Sequence, residues 1–272
     1  MALNPFQISF DQSGTEIPIR GKDRKRGAYT SVRVEGCSPP IPYFFPLHLE
    51  RITRSLELLG LKPRLGISEV EKLFLSVLNR DQQQFCHKVQ ITLNSEWLLI
   101  EGLPIKEKIG GLRGLLFEFE RKIPRAKGFQ NPGLYSAVGK LDRNQEELLL
   151  ISKEGLILEG STSNLLFISA NQIIIPVQNN LPGITLQVLL PELRKVFEVF
   201  QRDVHLQELP NFDEILAIGS GKEVVPILSV DQESWEMKES IMLPGVTKIY
   251  QSLKNAYKDN FLQSSPHPGS GS

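Results

Sequence analysis

The stretch Glu-Gly-Ser-Thr-Ser-Asn at residues 159–164 decides how this chain is interpreted. It ends a predicted β-hairpin over 148–158, whose turn is the polar segment 153–155, and a further apolar strand is predicted at 165–169. An ionised glutamate is seldom buried without a partner, because its desolvation is costly. Glu159 is therefore expected either to protrude into solvent or to face a cationic group in a pocket.

The composition is that of an ordinary soluble globular protein. Of the 272 residues, 40% are hydrophobic and 23% are charged, and the formal net charge is zero. This length predicts one large or two medium domains. The lack of a basic excess argues against a nucleic-acid partner. No apolar run approaches the ~20 residues that span a bilayer. The first residues do not resemble a secretory signal, so no membrane partner is expected.

The few cysteines and histidines leave little for metal chemistry. Cys37 and Cys86 have no metal-ligand spacing and are expected to be inert thiols, as in a reducing cytoplasm. No metal site is predicted. Residues 264–272 are expected to form a flexible tail.

The first half of the chain shows strand and helix patterns. Strands are predicted at 29–34, 87–93 and 97–100. A helix is predicted at 48–59, with Gly60 as its stop. A second helix is predicted at 68–79, with Ser68 as N-cap and Glu71 completing a capping box.

A charged, proline-containing segment at 118–125 is predicted to cross between two domains. The smaller N-terminal domain would cover 1–118 and the larger C-terminal domain 126–263. In the second half, helices are predicted at 134–141 and 185–199 and a buried strand at 215–218. Pro191 is expected to kink the longer helix or divide it.

The stretch 159–164, followed by Leu-Pro-Gly-Ile-Thr at 181–185, resembles the fold-type IV family of pyridoxal-phosphate enzymes. That family includes branched-chain and D-amino acid aminotransferases and 4-amino-4-deoxychorismate lyases. The resemblance implies an α/β fold of two domains with the cofactor, pyridoxal 5'-phosphate, at their interface. It also implies a homodimer whose partner subunit completes the pocket.

The resemblance gives candidate roles to two residues. Lys127 lies 32 residues before Glu159, close to the family's spacing between its cofactor-binding lysine and its glutamate. Lys127 is thus the candidate catalytic residue, with Lys122 and Lys140 as rivals. Pro132 and the following glycine interrupt the segment that leads into a helix in relatives. Glu159 would accept a hydrogen bond from the protonated ring nitrogen.

Three elements are candidates for binding the phosphate. Ile184 and Thr185 open a predicted helix after Pro-Gly, where free N–H groups and the helix dipole favour an anion. Ser220 and Gly221 follow a predicted buried strand and offer further N–H groups. The segment at 48–51 resembles the family's His-Leu-x-Arg helix. Its arginine, Arg51, is the expected charged ligand, and Arg54 competes with it.

The reaction is less well defined by sequence. Tyr29 and Thr30, the tentative substrate-side residues, begin a strand that resembles the version seen in some aminodeoxychorismate lyases. No Arg-x-His segment is present, which argues against D-amino acids and leaves the partner of a substrate carboxylate open. The preferred interpretation is a lyase that releases pyruvate and 4-aminobenzoate. The alternatives are an aminotransferase for a small or branched-chain amino acid and an inactive cofactor-binding relative.

Overall fold

The computed structural model describes residues 4–19, 27–80, 84–106, 110–231, 235–237 and 241–264. Within these ranges two β-sheets organise the chain. The strands of the first sheet are β1 Phe6–Asp11, β2 Glu16–Ile17, β3 Ala28–Gly36, β4 Ile41–Pro42, β5 Phe85–Leu93 and β6 Trp97–Pro104. They are antiparallel and lie in the order β2-β1-β6-β5-β3-β4.

Two helices contribute to the core of this first sheet. These are α1, Phe45–Leu58, and α2, Ile67–Leu78. Alternate residues of β3, such as Val32, join side chains such as Ile52 of α1 in one apolar cluster. The residues between them on β3, which begin with Tyr29, point to the other face of the sheet.

The second sheet is larger and mixed. Its strands are β7 Leu112–Glu118, β8 Glu146–Ile151, β9 Leu156–Gly160, β10 Asn164–Ser169, β11 Gln172–Ile175, β12 Glu198–Gln201, β13 Val204–His205, β14 Glu214–Gly219, β15 Glu223–Val230 and β16 Trp235–Glu236. The order is β12-β11-β10-β14-β15-β7-β8-β9-β13, and β16 pairs with β15. β7 runs parallel to both β8 and β15.

Helices follow the strands of this second sheet. The helices are α3 Pro132–Val138, α4 Ile184–Val196 and α5 Leu243–Ser264, with a 3₁₀ helix at Leu206–Asn211. α4 and α5 share an apolar cluster with β10 and β14. No helix within the described ranges is long and apolar enough to cross a membrane.

Several local predictions are confirmed, whereas the capping box and the end of the longer helix are wrong. The hairpin over 148–158 is formed by β8 and β9, and Gly60 adopts φ +64° just beyond α1. The capping box at Ser68 is wrong, because α2 begins one residue earlier and its N-cap is Gly66, with no side-chain cap. Pro191 lies inside α4 without dividing it, and the helix ends at Val196 rather than at 199.

The chain passes from the first sheet to the second before the predicted crossover at 118–125. Residues 112–118 form β7, which hydrogen-bonds in the second sheet and not in the first. The division into domains at 1–118 and 126–263 stays a prediction. α5 extends to Ser264, so the predicted tail loses its first residue to this helix, and 265–272 lie outside the described residues.

Candidate active site

The backbone of Lys127 is held between the first sheet and its helix. Its N–H donates to Ser55 Oγ of α1 at 3.0 Å, and its carbonyl accepts from the N–H of Tyr29 at 2.8 Å. The lysine therefore sits where β3 and α1 meet. The rival lysines, Lys122 and Lys140, are exposed, whereas Lys127 is partly buried.

The amine of Lys127 lies in a positively charged environment. Its Nζ is 5.3 Å from the centre of the Tyr29 ring. Burial lowers the pKa of Lys127 well below its usual range, and the charges of Arg51 and Arg121 lower it further while Glu159 opposes them. A lowered pKa increases the fraction of neutral amine, which is the form that a nucleophile or general base requires.

Glu159 was expected either to protrude into solvent or to face a cationic group. It faces a cation, the guanidinium of Arg121. Glu159 is 2% exposed at the end of β9. Its Oε1 accepts from Arg121 Nε at 2.5 Å and its Oε2 accepts from the N–H of Leu181 at 2.9 Å. Arg121 also donates to the carbonyl of Ser161 at 3.0 Å. A carboxylate has about four acceptor positions, so capacity for another donor remains.

Arg121 remains charged in this site. Burial alone would lower the pKa of its guanidinium, but the Glu159 carboxylate together with the nearby Tyr29 and Tyr135 more than offsets burial and raises that pKa. Arg121 was not among the residues predicted for the site. Its only signal was its position in the charge-rich segment at 118–125, where it was assigned to a crossover.

Arg51 is a buried cation whose described partners are neutral. It is 9% exposed, and its Nη2 donates to Thr30 Oγ1 at 2.6 Å and lies 3.3 Å from His48 Nδ1. Its buried Nε has no hydrogen-bond partner among the described residues. Burial lowers the pKa of Arg51 to about 10, and burial also keeps the pKa of His48 well below its usual range. A buried cation with a spare donor suits an anionic ligand.

The two tentative substrate-side residues differ in position. Thr30 is fully buried and its hydroxyl is engaged by Arg51 and His48, so the geometry favours a role in orienting Arg51 over the expected contact with substrate. Tyr29 lies beside Lys127, and its ring stacks on Phe129 at 4.7 Å. The substrate-side role of Tyr29 stays a prediction.

The two sequence motifs meet at Leu181. Glu159 accepts from its N–H, and Asn164 Nδ2 donates to its carbonyl at 2.9 Å. A Cβ at Gly183 would collide with the side-chain oxygen of Asn164, so a larger residue there would displace the side chain that holds Leu181. The first motif thereby fixes the loop that leads into α4, whose first residues include the phosphate candidate Thr185.

Glu147 connects the first motif to the turn at 219–223. It is 1% exposed, and its Oε1 accepts from Ser161 Oγ at 2.6 Å and from the N–H of Thr162 at 2.9 Å. It also forms an ion pair with Lys222. Glu147 was not among the residues predicted for the site, because it lies at the beginning of β8 and belongs to no recognisable motif.

The remaining phosphate candidates, Ser220 and Gly221, lie in the turn between β14 and β15. A Cβ at Gly221 would lie 3.1 Å from Lys88 Cδ, so the stem of Lys88 packs on this glycine. Burial is the largest cause of the lowered pKa of Lys127, and the charge of Lys88 also lowers that pKa. Lys88 thus lies between the turn and the neighbourhood of Lys127.

Comparison with known proteins identifies the family. The model of the amino-transferase class IV family matches residues 27–230, which include every candidate site residue. This chain belongs to the class IV aminotransferase family. The expected α/β fold of that family is confirmed.

A curated relative supports this membership, and solved structures support the fold. A probable branched-chain-amino-acid aminotransferase from Rickettsia bellii (strain RML369-C) is 24% identical over 207 residues, which cover 68% of this chain and 72% of the relative. A branched-chain aminotransferase structure from Thermoproteus uzoniensis, with norvaline, has a TM-score of 0.78 at 15% identity, covering 94% of this chain and 97% of that chain. A putative branched-chain amino acid aminotransferase from Thermotoga maritima gives 0.75 at 19% identity, covering 92% and 96%.

Proposed function

We propose that this protein is a pyridoxal-phosphate-dependent aminotransferase that acts on a small or branched-chain amino acid. Family membership supports the class of reaction. One observation carries the proposal: Lys127 lies near the buried carboxylate Glu159 and near Arg51, whose Nε is a buried donor without a partner among the described residues. Lys127 itself is partly buried and has a lowered pKa.

The residues fit this cofactor. Pyridoxal phosphate requires a lysine for its aldehyde, a partner for its ring nitrogen and an anion site for its phosphate. Lys127 and Glu159 would serve the first two needs. The unpartnered Nε of Arg51 is a donor that a phosphate oxygen would satisfy. The N–H groups of Ile184, Thr185, Ser220 and Gly221 would complete the phosphate site.

Each residue then has a defined task. When bound, pyridoxal phosphate supplies an electron sink for the carbanion formed at the substrate Cα. The neutral amine of Lys127 takes the proton from that carbon as general base. Glu159 would accept a hydrogen bond from the protonated ring nitrogen, and Arg121 and the N–H of Leu181 hold its carboxylate in place for this contact. Arg51 holds the phosphate end, and Thr30 orients its guanidinium.

The choice of aminotransferase over lyase rests on the relatives. The Rickettsia, Thermoproteus and Thermotoga proteins are all named as branched-chain aminotransferases, which favours the second interpretation of the sequence over the first. The lyase remains an outcome that the turnover assay described below would detect.

A homodimer is also proposed from the family resemblance, and light scattering of the purified protein would test it. A cytoplasmic location is also proposed, because a chain with only two cysteines suits a reducing compartment.

The test is a turnover assay with a panel of amino acids, with and without a keto acid acceptor. We expect keto acid-dependent transfer from branched-chain or other small amino acids. Pyruvate release from aminodeoxychorismate without an acceptor would instead establish the lyase, and no turnover of any amine would leave the inactive relative. Lys127→Ala should abolish activity, while the exposed control Lys122→Ala should retain it. Equal loss in both variants would contradict the assigned role of Lys127.

A further inference from the structure

His48 lies where α1 meets β3, beside the proposed phosphate ligand Arg51. It is fully buried, as is Thr30, and Arg51 is 9% exposed. Thr30 Oγ1 is 2.8 Å from His48 Nδ1. Arg51 Nη2 is 2.6 Å from Thr30 Oγ1 and 3.3 Å from His48 Nδ1. The three side chains therefore form one compact polar group between the first sheet and α1.

The chemistry of these atoms determines the direction of each hydrogen bond. A guanidinium can only donate, so Thr30 Oγ1 accepts from Arg51 Nη2. A proton on His48 Nδ1 would point toward that oxygen and would also lie beside Arg51 Nη2, which is itself a donor. Without this proton, Nδ1 accepts from the Thr30 hydroxyl, and each contact joins a donor to an acceptor. The bonds therefore run from Arg51 to Thr30 to His48, and the ring proton lies on Nε2.

The surroundings of His48 favour this neutral form of the ring. Burial, and after it the charges of Arg51 and Lys127, lower the pKa of His48 well below its usual range. Its Nε2 is buried and has no hydrogen-bond partner among the described residues, so no described donor there favours the opposite tautomer. His48 is thus a neutral hydrogen-bond acceptor beside a cation.

A neutral acceptor leaves the positive charge of Arg51 uncompensated. Elsewhere in the site, Arg121 pairs directly with the carboxylate of Glu159. Arg51 Nη2 is held by Thr30 and His48, whereas its buried Nε has no partner among the described residues. A guanidinium held at one end by neutral groups keeps both its charge and a donor for an anion. A carboxylate in place of the imidazole would compensate that charge before any ligand arrived.

We propose that His48 is a positioning residue that orients Arg51 through the Thr30 hydroxyl and leaves the charge of the guanidinium available to a phosphate. The property required is a neutral acceptor at the place of Nδ1. This inference rests on the proposed function, because it takes the anion at Arg51 to be the phosphate of pyridoxal phosphate. His48 acts through Thr30 and Arg51 and is assigned no contact with the ligand.

The test compares two ligands that differ only in the phosphate. The full-length apo protein is titrated with pyridoxal phosphate and with pyridoxal, and dissociation constants are measured by absorbance. The phosphate preference is the dissociation constant of pyridoxal divided by that of pyridoxal phosphate. His48→Leu and His48→Asn introduce side chains of similar size, but only asparagine offers an acceptor near the position of Nδ1. The preference should fall about threefold to tenfold in His48→Leu and less than about twofold in His48→Asn.

His48→Asp is the decisive variant, because it keeps the acceptor and adds a negative charge. Its carboxylate would pair with Arg51, so the phosphate preference should fall about tenfold or more. A role confined to stability predicts the same preference in His48→Asp and His48→Asn, and that result would overturn the proposal. Equal preferences in His48→Leu and His48→Asn would overturn it as well.

His87→Asp is the matched control. His87 is also fully buried in the first sheet, where its Nδ1 accepts from the N–H of Cys86 at 3.2 Å and its Nε2 lies 3.0 Å from the carbonyl oxygen of Asn4. This variant introduces the same carboxylate at a buried histidine that does not contact Arg51. The phosphate preference should stay within about twofold of that of the unmodified protein. A fall as large as in His48→Asp would contradict the assignment to His48.

The tautomer of His48 is measured independently in the unmodified protein. Heteronuclear NMR of protein labelled at its histidines distinguishes protonated from unprotonated ring nitrogens, and comparison with the His48 variants assigns the signals. We expect a proton on Nε2 and none on Nδ1 at neutral pH. A proton on Nδ1 would overturn the proposal without recourse to any titration.

The two levels of the argument fail in different ways. If the unmodified protein binds no pyridoxal phosphate, the proposed function fails and this inference fails with it. If the unmodified protein binds pyridoxal phosphate and His48→Asp retains the full phosphate preference, only the inference about His48 fails.

Discussion

The replacement of Arg121 by methionine tests the position of Glu159 against the cofactor ring. Arg121 and Glu159 are 2.5 Å apart, and their side chains are only 7% and 3% exposed. Removing one partner of a buried ion pair costs about 3–5 kcal/mol, because the other charge stays buried without compensation. A loss of this size corresponds to a fall of about 6–20 °C in the Tm of the apo protein.

The cofactor should restore part of this loss. If Glu159 faces the ring nitrogen, a bound pyridinium supplies a positive partner in place of the missing guanidinium. Saturating pyridoxal phosphate should therefore raise the Tm of Arg121→Met by more than it raises that of the unmodified protein. Thermal unfolding followed by fluorescence, with and without cofactor, measures both gains. An equal or smaller gain in the variant would refute the placement of Glu159 beside the ring.

Arg113→Met provides the control for this experiment. Arg113 and Glu146 are also 2.5 Å apart, but the arginine side chain is 53% exposed. A solvent-exposed ion pair contributes little, so the Tm of this variant should stay close to that of the unmodified protein, with or without cofactor. A large fall in Tm here would show that distance, and not burial, governs the effect.

Three further predictions follow from buried groups of the site. Thr30→Val removes the 2.6 Å bond from Arg51, and urea denaturation of the apo protein should show a loss of about 1.5–3 kcal/mol in the free energy of unfolding. Because burial and neighbouring cations lower the pKa of Lys127, the rate at which apo protein takes up pyridoxal phosphate should rise with pH well below the usual lysine range; Lys88→Met removes one of those cations and should move this rise to higher pH. Glu147→Gln breaks a buried ion pair and should destabilise the protein by about 3–5 kcal/mol in the same denaturation assay, whereas an unchanged midpoint would contradict the importance of that pair.

The local elements of the fold were predictable from the sequence. The hairpin over 148–158 alternates apolar runs with a glycine-containing turn, and such signals act within a few residues. The motif at 159–164 left two positions for Glu159, in solvent or beside a cationic group, and the structure shows the second. Spacing within the family was needed to choose Lys127, because nothing in its own neighbourhood distinguishes it from Lys122.

Long-range pairing was not predictable in the same way. Arg121 and Glu159 are 38 residues apart, and Glu147 and Lys222 are 75 residues apart, so no local pattern connects them. In the sequence, each of these buried charged residues looks the same as a charged residue on the protein surface. β7 pairs in parallel with β8 and with β15, and the second of these pairings also depends on distant residues.

Local signals can also mislead. Ser68 and Glu71 satisfy the spacing of a capping box, yet α2 begins at Ile67. The N-cap is Gly66, which has an extended backbone, and the helix begins one residue before the predicted start at Ser68. Pro191 was expected to kink α4 or divide it, and α4, which packs against α5 and β14, is a single undivided helix.

The most direct measurement of the central claim is the identity of the lysine that holds the cofactor. Borohydride reduction of the protein with pyridoxal phosphate fixes the cofactor covalently to that lysine, and mass spectrometry of the digested protein locates it. The account predicts a single modified residue, Lys127, and no modification in Lys127→Ala. Stoichiometric modification of Lys88, Lys122 or Lys140 instead would contradict it.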